Sequence, residues 1–62
     1  MLAKLENDFF IDVEEIMVIK KHVNGTEIIL KNNKKYCVLK PVKEVINIIK
    51  YYVHGWEYLD LN

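Results

Sequence analysis

Apolar side chains in the first two thirds of the chain fall in short runs separated by turn-forming residues. The β-branched run Ile16–Ile19 starts the first predicted strand, and Asn24-Gly25 ends it. Asn-Gly between apolar runs is the strongest short-range hairpin signal, because both central positions of a type I′ turn need positive φ. Residues 26–31 form the predicted return strand, Asn32-Asn33 the next turn, and residues 36–39 a third strand.

From Pro41 onward the apolar spacing becomes that of a helix. Proline lacks a backbone N–H and is therefore suited to the first turn of a helix. The following apolar residues recur at i, i+3, i+4, i+7 and i+11, which is typical of one helical face. Gly55 offers a left-handed cap at the far end. The predicted apolar face consists of Val42, Val45, Ile46, Ile49 and Val53.

The first fifteen residues leave two alternatives open. Residues 1–5 form either a short strand or a frayed end, and Asn7-Asp8 is a turn signal. The apolar cluster Phe9–Ile11 is consistent with another short strand, which Asp12–Glu15 interrupts. The chain is therefore predicted to be a single α+β domain over residues 1–62. It should combine a small antiparallel sheet of three to five strands with one C-terminal amphipathic helix.

The predicted strands do not alternate apolar and polar residues. Continuous apolar runs place side chains on both faces, which is typical of a sheet covered on both sides. One helix covers one face only, and its own apolar stripe is broader than a small sheet needs. A homodimer would bury this surplus; alternatively, residues 1–13 and 56–62 close over the exposed face. The predicted dimer-interface residues are Met17, Ile19, Ile48 and Tyr52.

A chain of 62 residues has little interior for its 52% of hydrophobic residues. Domains of this size bury only about 60% of their unfolded surface and usually need a disulfide, a metal or a second subunit. Cys37 is the sole cysteine, which excludes a disulfide framework. Oligomerisation is thus the expected source of additional stability.

Charge is segregated along the chain, although the net charge is zero. Residues 1–19 are acidic, residues 20–50 are rich in lysine, and the last twelve residues are acidic again. Arginine is the usual residue for bidentate contacts with guanine and phosphate, and its absence argues against specific nucleic-acid binding. No apolar run approaches the roughly 20 residues that span a bilayer, and the N-terminal residues lack signal-peptide features. We expect a cytoplasmic protein without a membrane partner.

Groups that could support catalysis or metal binding are few. The chain has no serine, arginine or glutamine. Cys37 lies in the middle of a predicted strand and is interpreted as a small core hydrophobe, since a nucleophilic cysteine needs an exposed, electropositive setting. His22 and His54 lack Cys or His partners at zinc-binding spacing. We therefore predict no catalytic residue, no metal site and no cofactor.

The last residues combine aromatic and apolar anchors with acidic side chains. Tryptophan and tyrosine are enriched at interface hot spots, and Glu57 and Asp60 keep the segment soluble. One hypothesis is that residues 56–62 dock onto another protein. The alternative is that they pack on the sheet or cross to a second subunit. The candidate protein-binding residues are Tyr51, Tyr52, Trp56, Tyr58, Leu59 and Leu61.

The order of residues over positions 9–52 resembles that of the small FlbD-like flagellar proteins. The matching stretches are Phe-Phe-Ile-Asp-Val-Glu-Glu-Ile over 9–16, Ile19-Lys20, residues 26–36, residues 42–46 and Ile49. This resemblance implies a small fold without catalytic chemistry and a role as an accessory of the flagellar motor. The order of strands and helix is also similar, more weakly, to that of a truncated LytTR DNA-binding module.

The small size, the surplus apolar surface and the absence of catalytic and metal-binding motifs favour one functional hypothesis. The protein is predicted to be a non-catalytic regulatory or inhibitory protein that binds a larger protein. Short, lysine- and asparagine-rich chains of this kind are often inhibitors, encoded by phages or mobile elements, of a host or defence protein. One alternative is a flagellar motor accessory. The other is a small nucleic-acid-binding protein using Lys20, Lys21, Lys31, Lys34 and Lys35.

Overall fold

A computed structural model describes residues 1–53, which form five strands and one helix. Strands β1 and β2 pair as an antiparallel hairpin, and β3, β4 and β5 form an antiparallel sheet in that order. The prediction of a small α+β fold is confirmed. The elements are β1 (Leu2–Glu6), β2 (Phe9–Asp12), a short 3-10 turn (Val13–Glu15), β3 (Ile16–His22), β4 (Gly25–Leu30), β5 (Lys35–Val38) and α1 (Val42–Tyr52).

The N-terminal residues form a strand rather than a frayed end. In the β1–β2 hairpin, Ala3 lies opposite Ile11, and Asp8 turns the chain with a φ of 62°. Aspartate tolerates this left-handed conformation because its short side chain can bond to nearby backbone. Ala3 and Leu5 alternate with exposed neighbours, so the hairpin presents one buried face.

A β-bulge in β3 explains why its apolar run does not alternate. Ile16 lies opposite Leu30, but the next pair joins Val18 to Ile29, which leaves Met17 as the extra residue. An extra residue shifts the side chains that follow it to the opposite face. Ile16 and Ile19 therefore both pack against the core, although they are three residues apart.

The turn between β3 and β4 differs from the predicted type I′ turn at Asn24-Gly25. His22 pairs with Gly25, so Val23 and Asn24 form the connection, and Gly25 is the first residue of β4. Among the positions of this turn, only Gly25 has a positive φ, at 151°. The turn therefore lies one residue earlier than predicted. The predicted type I′ geometry was also wrong, because that type needs a positive φ at both central residues. The next turn is confirmed, because Asn33 adopts a φ of 71°.

Helix α1 begins directly after Pro41, as predicted. The Pro41 carbonyl accepts hydrogen bonds from the backbone N–H groups of Glu44 and Val45, at 3.0 and 3.1 Å. The helix ends at Tyr52, and the Val53 N–H donates to the Ile49 carbonyl at 2.9 Å. The predicted stop at Gly55 lies outside the described residues.

One core unites the hairpin, the sheet and the helix. Residues 1–13 pack on the same face of the three-stranded sheet as α1, because Ala3, Leu5 and Ile11 join one cluster with sheet and helix residues. The register places Val18, Lys20, Glu27, Ile29 and Cys37 on the opposite, outer face of the sheet. The remaining members of the core cluster are Val13, Ile28, Val38, Val45 and Ile49.

Candidate docking surface

The segment from Leu39 to Pro41 joins β5 to α1, and its backbone is fixed by neighbouring elements. The Thr26 hydroxyl, which is fully buried, donates to the Lys40 carbonyl at 2.7 Å. The Leu39 N–H donates to the Oε1 atom of Glu6. Strand β4 thus fixes one residue of the segment, and the end of β1 fixes the residue beside it.

Gly25 allows the same segment to lie close against β4. A Cβ atom at Gly25 would lie 2.1 Å from the Val38 carbonyl oxygen and 3.2 Å from the Leu39 Cα. Real Cβ atoms do not approach backbone that closely, and the φ of 151° also favours glycine. Only glycine therefore permits this contact between the start of β4 and the end of β5.

The fixed backbone holds the Leu39 side chain out into solvent. This leucine is 72% exposed, although the residue before it, Val38, is fully buried. Leu39 and Lys40 together separate two shallow surface grooves, and we call this pair the Leu39 ridge. An apolar side chain held out by ordered backbone loses little further conformational entropy when a partner covers it.

The groove on one side of the ridge is basic, with apolar groups in its lining. Among the described residues that line this basic groove, none is acidic. Lys40 also lies 3.5 Å from Glu44, measured from Nζ to Oε1, on the first turns of α1. The lining of the basic groove is Lys21, His22, Asn24, Gly25, Leu39, Lys40, Pro41, Val42 and Lys43.

The groove on the other side of the ridge is mixed in charge. Glu6 and Asn7 line it, together with Lys4 and with Leu5 and Ile48 from the edge of the core. Glu6 also accepts the Leu39 N–H, so one wall of this groove fixes the ridge. Of the two grooves, the basic groove is therefore the one that should favour negatively charged groups of a partner.

The four residues predicted for a dimer interface differ in exposure. Ile19, Ile48 and Tyr52 are partly buried and pack against the protein's own core. Met17, the bulge residue, is 53% exposed. The role of these four residues in a dimer stays a prediction.

The aromatic residues predicted to bind a partner fall in two groups. Tyr51 is 83% exposed in the last turn of α1, and its ring packs edge-to-face on Tyr52 with 5.4 Å between centroids. Trp56, Tyr58, Leu59 and Leu61 lie outside the described residues. The basic groove lies beside the first turn of α1, about 15 Å from its last turn by helical rise.

Cys37 corrects a second expectation from the sequence. It was predicted to be a small core hydrophobe, but it is exposed, because the register places it opposite Glu27 on the outer face of the sheet. Its Sγ lies 3.6 Å from Nδ1 of His22. Within residues 1–53, no group of three or more side chains is arranged to hold a metal ion.

Leu39 was predicted to belong to the third strand, which ends one residue earlier, at Val38, and the ridge was not predicted from the sequence. The available signal was Pro41, two residues later. Proline has no backbone N–H for strand pairing, so the strand cannot continue through Pro41, and the residue before a proline is kept out of helical geometry. That signal marks the end of β5. It does not give the direction of the Leu39 side chain, which depends on the bonds to Thr26 and Glu6.

Comparisons with known proteins give no relative from which a role could be transferred. No family model, no curated protein and no solved structure matches this chain. The resemblance to the FlbD-like family and the weaker similarity to the LytTR module stay predictions. In the described part of the chain, no helix combines the length and apolar character needed to cross a membrane.

Proposed function

We propose that this protein acts by binding another protein, and that the Leu39 ridge and the basic groove hold an acidic segment of that partner. The observation that carries this proposal is Leu39 itself, a large apolar side chain that is 72% exposed on fixed backbone. Isolated apolar residues are common on protein surfaces. Leu39 differs because a lysine-lined groove adjoins it.

The chemistry of the groove defines the partner segment. Full burial of a leucine side chain contributes about 1.5–3 kcal/mol, so an apolar residue of the partner should cover Leu39. Lys21, Lys40 and Lys43 supply positive charge around that contact. Such charges mainly accelerate association and select the sign of the partner. The expected segment therefore alternates acidic and apolar side chains.

A protein partner fits this surface better than a nucleic acid does. Phosphate binding needs positive charge but no apolar contact at its centre. Here an exposed apolar side chain, that of Leu39, lies between the two grooves. A regulatory or inhibitory role, exerted by occupying a surface of a larger protein, is the function that we propose.

Selection from a displayed peptide library tests the proposed surface directly. The full chain should enrich peptides that combine acidic and apolar residues. Leu39→Glu should abolish their binding, and Lys21→Ala or Lys43→Ala should weaken it several-fold in low salt. Leu2→Glu is the matched control, because Leu2 is 62% exposed on β1 and does not line either groove.

Three results would contradict the proposal. Selected peptides that bind Leu39→Glu as well as the unchanged protein would remove the ridge from the interface. Self-association of the unchanged chain that Leu39→Glu abolishes would make a second copy the occupant. Binding of labelled duplex DNA or RNA that the same lysine substitutions weaken, without any selected peptide, would favour the nucleic-acid alternative.

A further inference from the structure

The segment that follows α1 has the composition that the basic groove and the Leu39 ridge require of a partner. Residues 56–62 have the sequence Trp-Glu-Tyr-Leu-Asp-Leu-Asn, in which two acidic residues are interspersed with aromatic and aliphatic ones. Lys21, Lys40 and Lys43 line the basic groove, and Leu39 lies at its edge. The segment and the groove are therefore complementary in charge, and both offer apolar side chains.

The last described residue directs the chain along the surface of the molecule. Val53 has extended backbone, with φ −131° and ψ 106°, and its side chain packs against the core. Gly55 follows two residues later, and glycine readily adopts the left-handed conformations that reverse a chain after a helix. The chain thus leaves α1 beside the core, with a residue suited to a reversal close behind.

The groove of mixed charge connects the end of α1 with the Leu39 ridge. Ile48 lines this groove at one side, one helical turn before Tyr52, and the ridge residues line it at the other. The basic groove lies beyond the ridge, about 15 Å back along the helix. An extended residue spans at most about 3.3–3.6 Å, so residues 54–58 can cover this distance. Residues 59–61 then reach the ridge and the lysines beyond it.

We propose that residues 59–61 occupy the Leu39 ridge and the basic groove of their own chain, and that a protein partner must displace them. In an extended chain Leu59 and Leu61 project to one side and Asp60 to the other. This arrangement matches a groove that has Leu39 at its edge and lysines elsewhere in its lining. The inference rests on the proposed function, because it names what occupies the same surface before a partner binds.

Covalent attachment makes a weak contact sufficient. Three residues bury too little apolar surface to bind tightly as a free peptide. A segment joined to its site by a short linker has an effective concentration in the millimolar range. Residues 59–61 therefore occupy the surface in the free protein, while a longer acidic and apolar segment of a partner can still replace them.

The fluorescence of Trp56 tests the proposal, because this residue is the sole tryptophan of the chain. Quenching by acrylamide, which is uncharged, measures how accessible the indole is in the full chain. Leu39→Glu should raise the quenching constant several-fold, since it removes the apolar contact and repels Asp60. Leu2→Glu is the matched control on β1, at a position that lines neither groove, and should leave the constant unchanged.

An exchange of charges tests the contact itself. Lys43→Glu should release the segment in part, because an exposed ion pair shifts such an equilibrium by up to about fivefold. Asp60→Lys in the same chain should restore the shielding of Trp56, since the two charges are then exchanged. A double variant that is no better shielded than Lys43→Glu alone would overturn the proposal.

Two further results would also overturn it. Equal quenching constants for Leu39→Glu, Leu2→Glu and the unchanged chain would show that the segment does not lie on the ridge. Shielding of Trp56 that is lost when the unchanged protein is diluted would make a second copy the occupant. Circular dichroism confirms that each variant keeps its fold, which is expected because Leu39 and Leu2 are both exposed.

The library-selected peptides separate this proposal from the proposed function. Asp60→Asn should bind them more tightly than the unchanged chain, because the segment competes less well for the lysines. If Leu39→Glu releases Trp56 but the library yields no peptide, the segment occupies the surface and the proposed function fails. If peptides bind at Leu39 with the same affinity in Asp60→Asn and in the unchanged chain, the proposed function stands and residues 59–61 are not the occupant.

Discussion

At the scale of single residues, Gly25 combines two constraints that seldom coincide. Its φ is 151°, and the Val38 carbonyl oxygen lies only 2.1 Å from the position that a Cβ would take. Asn33, by contrast, has a left-handed φ of 71° in the exposed turn between β4 and β5. The two positions therefore separate the cost of backbone strain from the cost of a steric clash.

We expect Gly25→Ala to lower the free energy of unfolding by more than about 2 kcal/mol, since strain and overlap add. Asn33→Ala should cost only about 1 kcal/mol, the usual penalty for a left-handed residue without a helpful side chain. Urea unfolding followed by circular dichroism measures both. Equal losses in the two variants would show that the close contact at Gly25 contributes nothing.

Part of the pH dependence of the protein's stability can be assigned to one carboxylate, that of Asp12. The Glu14 backbone N–H donates to it at 3.1 Å, and the Met1 amino group lies 3.3 Å away. The first of these contacts, followed by the second, holds the pKa of Asp12 below its ordinary value. A depressed folded-state pKa stabilises the fold above the unfolded pKa of about 3.9, and this contribution is lost as pH falls through the lower, folded value.

Asp12→Asn should therefore be less stable than the unchanged protein near pH 7. The difference should shrink and vanish as the pH falls through the lowered folded-state pKa of Asp12, because the unchanged carboxylate is then also protonated. Urea midpoints measured across this pH range give the comparison. A difference that persists unchanged in acid would assign the effect of the substitution to something other than the charge of Asp12.

At the scale of elements, helix α1 shows how far periodicity predicts packing. The apolar positions at helical spacing indicated a face that includes Val45, Ile46 and Ile49, and all three are buried. Ile48, predicted for the dimer interface from the surplus width of the apolar stripe, is only partly buried beside that face. Periodicity identifies the centre of a helical face reliably, whereas its edges depend on what the neighbouring element covers.

Ile49 and Ile48 give a matched test of the difference between the centre and the edge of the helical face. Ile49→Ala should cost about 2–5 kcal/mol, because Ile49 is fully buried and its removal leaves a cavity in the core. Ile48→Ala removes the same atoms from a partly exposed site and should cost clearly less. Both variants keep good helix propensity, so urea unfolding compares burial alone. A larger loss at Ile48 would contradict the assignment of the core face.

The strands were harder to predict than the helix, for a reason visible in β3. Ile16–Ile19 indicated apolar side chains on both faces of the sheet. Val18 does lie on the outer face, but the bulge at Met17 turns both Ile16 and Ile19 towards the core, which the apolar run alone did not indicate. A bulge changes which face every later residue occupies, and it depends on pairing with a distant strand.

At the scale of the whole molecule, self-association is the open prediction with the simplest test. The outer face of the sheet carries half-buried Val18 and Ile29, and Met17, which precedes Val18 in the chain, is exposed. If two copies bury this face, light scattering should give twice the monomer mass, and Met17→Lys should lower the dimer fraction. Leu2→Lys, an equivalent change on the hairpin, should not. A monomer mass at all protein concentrations would contradict the homodimer.

The sequence by itself determined the unit of three strands and a helix and the order of its elements, because these follow from local chemistry, but it left residues 1–5 open between a strand and a frayed end. Pro41 starts the helix through its missing N–H, and Asn33 forms a turn because asparagine tolerates a positive φ. Tertiary structure decided which side chains meet. The direction of Leu39, the exposure of Cys37 and its approach to His22 all depend on strand register and on bonds between distant residues. No local pattern encodes those distances, so these features emerged only from the folded chain.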